Sequence, residues 1–275
     1  MSPFRASAGF TETWEHFDLD IEDRVATITF SRPDRLNALT FDVYADLRDI
    51  LLELPQRDDV RVIVIRGTGR GFCSGGDVDD IIGELQSMDP RQLLDFTRMT
   101  GQVVKNMREI PLPIIAQVNG IAAGAGSVIA IASDLRVLST EAKLAFLFTR
   151  VGLAGADMGS AYLLPRLIGL SKASELLLLG ESINAQKADE LGLARAVVEP
   201  DQLDDTVREL ARRLADGPAL GYESTKALLT RELDMNLSAS VELEAWTQAL
   251  LMKSHDHGEF YRSFTEKRDP DWQGR

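Results

Sequence analysis

The chain of 275 residues sets 43 Asp and Glu against 30 Lys and Arg, a formal net charge of −13, with 44% hydrophobic residues and one cysteine. That length suits one large domain or a core with an appendage, and the apolar share excludes disorder. The acidic balance argues against a nucleic-acid binder, and Cys73 alone forms neither an intrachain disulfide nor a Cys-rich zinc site.

The N-terminal MSPFRASAGFTETWEHFDLD is acidic and lacks an apolar leader core. The first strand signal is Arg24 to Phe30, alternating and β-branched, and Pro33 breaks it. The spacing of Tyr44, Leu47, Leu51 and Leu54 predicts a helix from about Thr40 to Leu54, ended by Pro55. Arg61 to Arg66 reads as a strand covered on both faces, and the pattern recurs at Pro113 to Val118 and more faintly at Leu135 to Leu138. A helix carrying Leu93, Phe96, Met99, Val103 and Met107 lies between.

After about residue 157 nearly everything reads as helix: 159–168, 172–179, 185–191, 201–215, 217–232 and 238–252. Asn184 is the expected N-cap and Gly192 the expected stop of the third of these. No stretch is long and apolar enough for a membrane span. The expectation is a cytoplasmic α/β core with a helical appendage, binding neither nucleic acid nor membrane.

Two small-residue loops follow apolar strands: Gly67-Thr68-Gly69-Arg70-Gly71-Phe72-Cys73-Ser74-Gly75-Gly76-Asp77 and Asn119-Gly120-Ile121-Ala122-Ala123-Gly124-Ala125-Gly126-Ser127. Small side chains admit a ligand to the backbone, and free N–H groups at a helix start carry partial positive charge. Facing each other, two such loops make an oxyanion hole; alone, either serves equally well as a turn or a close-packing site. Rival motifs fail when counted. Ile129, Phe72 and Ser74 stand where a dinucleotide fingerprint needs its third Gly, and no P-loop Lys follows the required Gly. Ser74, Ser127 and Ser160 lack the Gly two residues earlier that a nucleophile elbow needs. His255 and His257 lack a third ligand and read as solvated helix surface, so no metal is expected.

With these loops the chain resembles the crotonase superfamily, the enoyl-CoA hydratase/isomerase family, from about Asp23 to Trp272. The markers are Arg32-Pro33 with Arg35-Leu36-Asn37-Ala38-Leu39, then Phe72 to Asp77, then Val118-Asn119-Gly120 with Ala122 and Gly124 to Gly126. Leu164-Pro165-Arg166 before Gly169, and Phe264 with Glu266-Lys267-Arg268 and Pro270, complete the set. The resemblance implies a spiral of ββα units over residues 1–199 and a C-terminal helical region over 200–275, assembled as a homotrimer or a dimer of trimers. It implies an acyl-CoA thioester substrate and an enolate held by the N–H groups of Ser74 and Ala125. Coenzyme A enters as part of the substrate, with no tightly bound cofactor. Arg35, Leu36, Ala38, Ser74, Gly76, Asp77, Val78 and Gly124 are the implied CoA contacts, with Lys267, in some relatives, coming from a neighbouring subunit.

The two glutamates of the family's hydratases fall on Val128 and Phe148, neither of which moves a proton. The loop Val151 to Ser160 is similar to that of the family's isomerases, where an acid stands at Asp157. Its apolar neighbours Leu153, Ala154, Ala156 and Met158 raise a carboxylate's pKa and make it a better base; capping the helix near Gly159 is the competing role. Asp77 reads as a helix start, Asp79 and Asp80 as a solvated face, and Cys73 and Tyr162 as core. Phe41, Met88, Phe96, Met99 and Phe148 are candidates both for an acyl pocket and for the core. The expected activity is double-bond migration in an enoyl-CoA with Asp157 as acid and base. The alternatives are a hydratase, lyase or hydrolase on an unusual acyl-CoA, and a non-catalytic acyl-CoA-binding subunit.

Overall fold

The computed structural model describes residues 9–275; the opening residues of the N-terminal segment lie outside that range. Strands β1 (Asp18–Glu22) and β2 (Val25–Phe30) form an antiparallel hairpin. Thr40 starts α1 (Phe41–Glu53), its hydroxyl accepting from the Val43 N–H. Then come β3 (Val62–Gly67), β4 (Gly71–Cys73) and α2 (Pro90–Glu109), followed by β5 (Ile114–Val118), β6 (Ile121–Ala123) and α3 (Ala125–Ala132). The next turn is β7 (Leu135–Ser139), β8 (Lys143–Ala145) and α4 (Ser160–Ile168).

The pairs β3–β4, β5–β6 and β7–β8 each send their first strand to a six-stranded sheet and their second to a four-stranded one, while β1 and β2 both join the six-stranded sheet. This alternation is the spiral of ββα units. Strands β2, β3, β5 and β7 run parallel in register, so their C-terminal ends share one edge, and both glycine loops leave from it.

Period-two alternation divides the large sheet's side chains between two cores. Ile63, Ile65, Ile114 and Ala116 face the main core with Leu47, Leu51 and Met107. Val62, Val64, Ile115 and Val137 face α7 (Leu203–Ala215), which presents Val207, Ala211 and Ala215.

The tail is less purely helical than its sequence predicts. Between α5 (Leu170–Leu179) and α6 (Ala185–Glu190), β9 (Ser182–Asn184) pairs with β8, and β10 (Ala196–Val198) pairs with β7. Three residues are too few to show a period, and pairing with a formed sheet overrides local preference. Asn184 caps α6 by accepting from Lys187 N–H at 2.8 Å, and Gly192, at φ +75°, follows its end. The chain ends in α8 (Ala219–Glu232), α9 (Leu237–Leu251) and α10 (His255–Glu266). Among the described residues no helix is long and apolar enough to cross a membrane, and no group of three His, Cys, Asp or Glu could hold a metal ion.

Candidate active site

The first glycine loop is laced to the turn before α1 by backbone groups and one serine hydroxyl. Leu39 N–H donates to Gly75 carbonyl at 2.8 Å, Asp77 N–H to Leu39 carbonyl at 2.9 Å, and Ser74 Oγ–H to Arg35 carbonyl at 3.2 Å. Leu36 and Asn37 adopt positive φ in that turn, and buried Asn37 donates to the carbonyls of Thr68 and Gly71. The fold thus gathers Arg35, Leu36, Ala38, Ser74, Gly76, Asp77 and Val78 into one surface.

Two charged members of that surface are already engaged. Arg35 pairs with Asp79 at 3.0 Å in an exposed contact. Asp77 is buried and accepts from the N–H groups of Asp79 and Asp80, capping a wide helical turn over Val78–Gly83, with Arg32 at 3.1 Å. Burial alone would raise its pKa, but those two N–H donors, with Arg32 and Arg35, outweigh it and hold the carboxyl below its ordinary value. Asp77 is a cap, as the sequence indicates.

The expected oxyanion donor at Ser74 needs correction. Its N–H donates to Leu36 carbonyl at 3.0 Å, so it is already used in lacing the loop to the turn. The bridge pairs Gly76 with Leu39 through the flanking groups, which leaves the Gly76 N–H without an acceptor among the described residues. Ala125, first residue of α3, likewise has an N–H with no acceptor there. The two loops press backbone to backbone. A Cβ on Gly75, at φ +95°, would lie 2.9 Å from Ala123 carbonyl oxygen and 3.5 Å from Ala125 N. One on Gly126 would drive into the Cys73 carbonyl. These glycines therefore let two free donors approach, and Gly124, at φ +51°, turns the chain into α3.

Asp157 is half-buried, and its carboxylate accepts one hydrogen bond, from Met158 N–H at 2.9 Å. No cation pairs with it among the described residues. Burial raises its pKa, and the Met158 bond only partly offsets that. The capping role does not hold, because Gly159 occupies the N-cap of α4 and no side chain caps it. Buried Tyr44 faces the same space. Its pKa stands well above the ordinary tyrosine value, first through burial, then through Cys73 and Asp157 nearby. A Cβ on Gly76 would lie 4.0 Å from the Tyr44 hydroxyl. Phe96 meets both Tyr44 and Phe41 edge-on, with centroids 6.0 and 5.0 Å away. Past Met158, a cavity of about 610 Å³ runs between α2, α4 and α8, lined by Gly101, Val104, Leu163 and Thr230 among others.

A family model described as enoyl-CoA hydratase/isomerase matches residues 20–275. The chain belongs to the enoyl-CoA hydratase/isomerase family, the crotonase superfamily. It is 34% identical over 255 residues to the 1,2-epoxyphenylacetyl-CoA isomerase of Escherichia coli K12, covering 93% of this chain and 97% of that one. It is also 34% identical to the (E)-benzylidenesuccinyl-CoA hydratase of Thauera aromatica, covering 93% and 98%. A crystal structure from Streptomyces coelicolor A3(2), provisionally assigned as an enoyl-CoA hydratase, superposes with a TM-score of 0.98 at 59% identity over 100% of both chains.

Within this crotonase fold the two hydratase positions are apolar and buried, Val128 on α3 and Phe148 in the turn over Leu147–Val151. Cys73 is fully buried and its thiol is pushed up to about 12 by burial, so it stays a neutral thiol. Tyr162, read from sequence as core, is exposed instead and lines the cavity past Met158, its hydroxyl donating to Asp234 at 2.7 Å. Lys267 ends α10 in a left-handed conformation and is exposed. The tail beyond it returns to Arg61, which donates to Gln273 carbonyl at 2.9 Å just before β3 begins, whereas the glycine loops leave the far end of that strand. Two residues of the site were hard to read from sequence: Gly76 as a donor, and Tyr44, which sits on an apolar helix stripe like any core residue.

Proposed function

We propose that this enzyme moves a double bond in an enoyl-CoA through a thioester enolate, with Asp157 as the single acid and base. The observation that carries the reading is the half-buried Asp157 carboxylate, its pKa raised by burial and no cation on it among the described residues, together with two backbone donors that have no acceptor there. The thioester carbonyl oxygen accepts from the N–H groups of Gly76 and Ala125. Each such donor is worth about 3–4 kcal/mol as negative charge grows on oxygen. Asp157 takes a proton from C2 of a 3-enoyl-CoA, the electron pair moves to the thioester oxygen, and Asp157 returns the proton at C4 as the double bond shifts to C2. One carboxylate suffices, whereas water addition ordinarily calls on a second group, and Val128 and Phe148 supply none.

Coenzyme A arrives as part of the substrate, with Arg35 and the loop from Ser74 to Val78 as its proposed contacts; the reading asks for no tightly bound cofactor. The acyl group points past Met158. The edge-on cluster of Phe41, Tyr44 and Phe96, with two relatives named for aryl-bearing CoA thioesters, favours an aromatic acyl group. Assembly as a homotrimer or a dimer of trimers belongs to the same reading, with Lys267 reaching the nucleotide of a neighbouring copy. Its support is the exposed apolar side chains of the last two helices: Leu237 and Val241 on one side of α9, Trp246 and Leu250 on the other, and Phe264 on α10. The test is isomerisation of a 3-enoyl-CoA, followed by the rise of conjugated absorbance. Asp157→Asn should abolish most of the rate while acyl-CoA still binds; a fully active variant sinks the mechanism.

A further inference from the structure

Three helices enclose the cavity past Met158, and the seams between them are closed by different means. Between α2 and α4 the seam is apolar: Val104 and Leu163 are buried, and a Cβ on Gly159 would meet Val104 at 3.7 Å. Between α2 and α8 a partly buried polar cluster closes it. The Arg108 guanidinium donates to the Thr230 hydroxyl, which donates in turn to the Arg108 carbonyl, each at 3.2 Å. Behind them Asp134 pairs with Arg108 at 2.9 Å and with buried Lys226 of α8 at 2.8 Å. A cluster so fully bonded and shielded from water holds α8 fast.

The seam between α4 and the α8–α9 corner is of another kind. Among the described residues, the hydrogen bonds that join these two segments both end on Asp234, in the turn after α8. One comes from the Tyr162 hydroxyl at 2.7 Å and the other from Arg166 at 3.2 Å. The Arg166 guanidinium also lies over the Tyr162 ring, 3.7 Å from its centroid. Tyr162 is 37% exposed and the Asp234 side chain 65% exposed. Exposed bonds of this kind hold weakly, because water replaces them at little cost, and local opening begins at such places. Met158 and Gly159 form the end of the cavity next to Asp157, and Tyr162 lies about one helical turn further along α4.

We propose that Tyr162 and Asp234 are a specificity-determining pair, a latch that closes this seam and bounds the acyl group by size. The inference rests on the reading above that places the acyl group past Met158. An acyl group that ends before Tyr162 is enclosed with the latch shut. A longer chain fits only by breaking the latch and leaving through the seam. The substrate class is then compact acyl-CoA thioesters, aryl or short-chain, in preference to long unbranched ones.

The test measures affinity for butanoyl-CoA and decanoyl-CoA by calorimetric titration and reads the ratio of the two; neither carries a double bond to move. Tyr162→Phe and Asp234→Ala each remove the bond between the pair. Both should shift the ratio towards decanoyl-CoA by about threefold or more, the scale of an exposed bond to a charged group. Tyr162→Ala removes the ring as well and should shift it further, by about fourfold for each added methylene enclosed. Unless both Tyr162→Phe and Asp234→Ala shift the ratio, the latch falls. A shift in Tyr162→Ala alone overturns the latch and keeps the acyl placement, whereas a ratio unchanged in all three variants overturns both. Isomerisation of a 3-enoyl-CoA by wild type is read separately: its absence sinks the enolate reading, while the affinity ratio still decides the latch.

Discussion

Asp77 and Asp157 lie on two segments that converge near Gly76, yet their surroundings drive them in opposite directions. Asp77 is the more buried of the two and receives two backbone N–H bonds and an arginine. Asp157 receives one N–H and no cation. Burial acts on both, so the number of donors decides which carboxylate becomes structure and which keeps an affinity for protons. On the proposed mechanism, the carboxylate that does chemistry is the one the fold has left short of partners.

The largest break in that comparison is Asp157→Asn. The isomerisation rate should fall by about 10²- to 10⁴-fold, the usual worth of a positioned acid–base group. Stability should move the other way. A folded-state pKa raised above the unfolded value favours the protonated form, so that contribution is present below the unfolded pKa and lost as pH rises through the folded one. At neutral pH the ionised Asp157 therefore costs stability, and the Asn variant should unfold at equal or higher denaturant. In wild type, the acid limb of the rate profile should have its midpoint above 3.8, the ordinary value for this side chain. A midpoint below it would show that Asp157 is not the group that titrates.

Asp77→Ala should give the complementary pattern. Losing an N-cap costs roughly 0.5–2 kcal/mol, read by urea unfolding, and the loop carrying the Gly76 donor should loosen with it. Here the pKa is lowered by folding, so the contribution of Asp77 is present above its unfolded pKa and lost as pH falls through the folded value. The stability gap between wild type and Asp77→Ala should close in strong acid. A gap unchanged with pH would mean that the charge on Asp77 adds nothing to the cap.

These two residues also mark how far the sequence can be read. The long strands, the helices with a full apolar stripe and both loops were legible, because period and glycine spacing are local properties. The direction of the Asp157 shift agrees with the expectation, but its reason differs. Leu153, Ala154 and Ala156 are exposed and only Met158 of the four neighbours is buried, so the burial comes from the fold and not from the local apolar run. Ser74 was misassigned because the use of its N–H depends on Leu36, 38 residues away in sequence but brought alongside by the fold. Tyr44 falls in step with Leu47 and Leu51, and periodicity cannot tell a ring that ends in the core from one whose hydroxyl reaches a site. Strands β9 and β10 are too short for a pattern. The role expected of Lys267 needs a second copy of the chain, which one sequence does not describe.

The smallest predicted effect concerns Arg35, the positive charge beside the first loop in a protein of net charge −13. Its guanidinium is paired with Asp79 in an exposed contact, and such pairs contribute about 0.2–1 kcal/mol or less. A CoA phosphate at this surface would compete with Asp79 for the same cation. Asp79→Asn removes the competitor and one negative charge, while the Asp79 backbone N–H goes on capping through Asp77. KM for the acyl-CoA should therefore fall, by about two- to threefold at low ionic strength on the scale of one exposed pair. Arg35→Ala should raise it by a similar factor. Both shifts should fade above a few hundred millimolar salt, where screening reduces exposed charge interactions to a few ångströms. If Asp79→Asn instead raises KM, Asp79 holds Arg35 in the geometry that CoA uses, and the pair acts together on the ligand side of the loop.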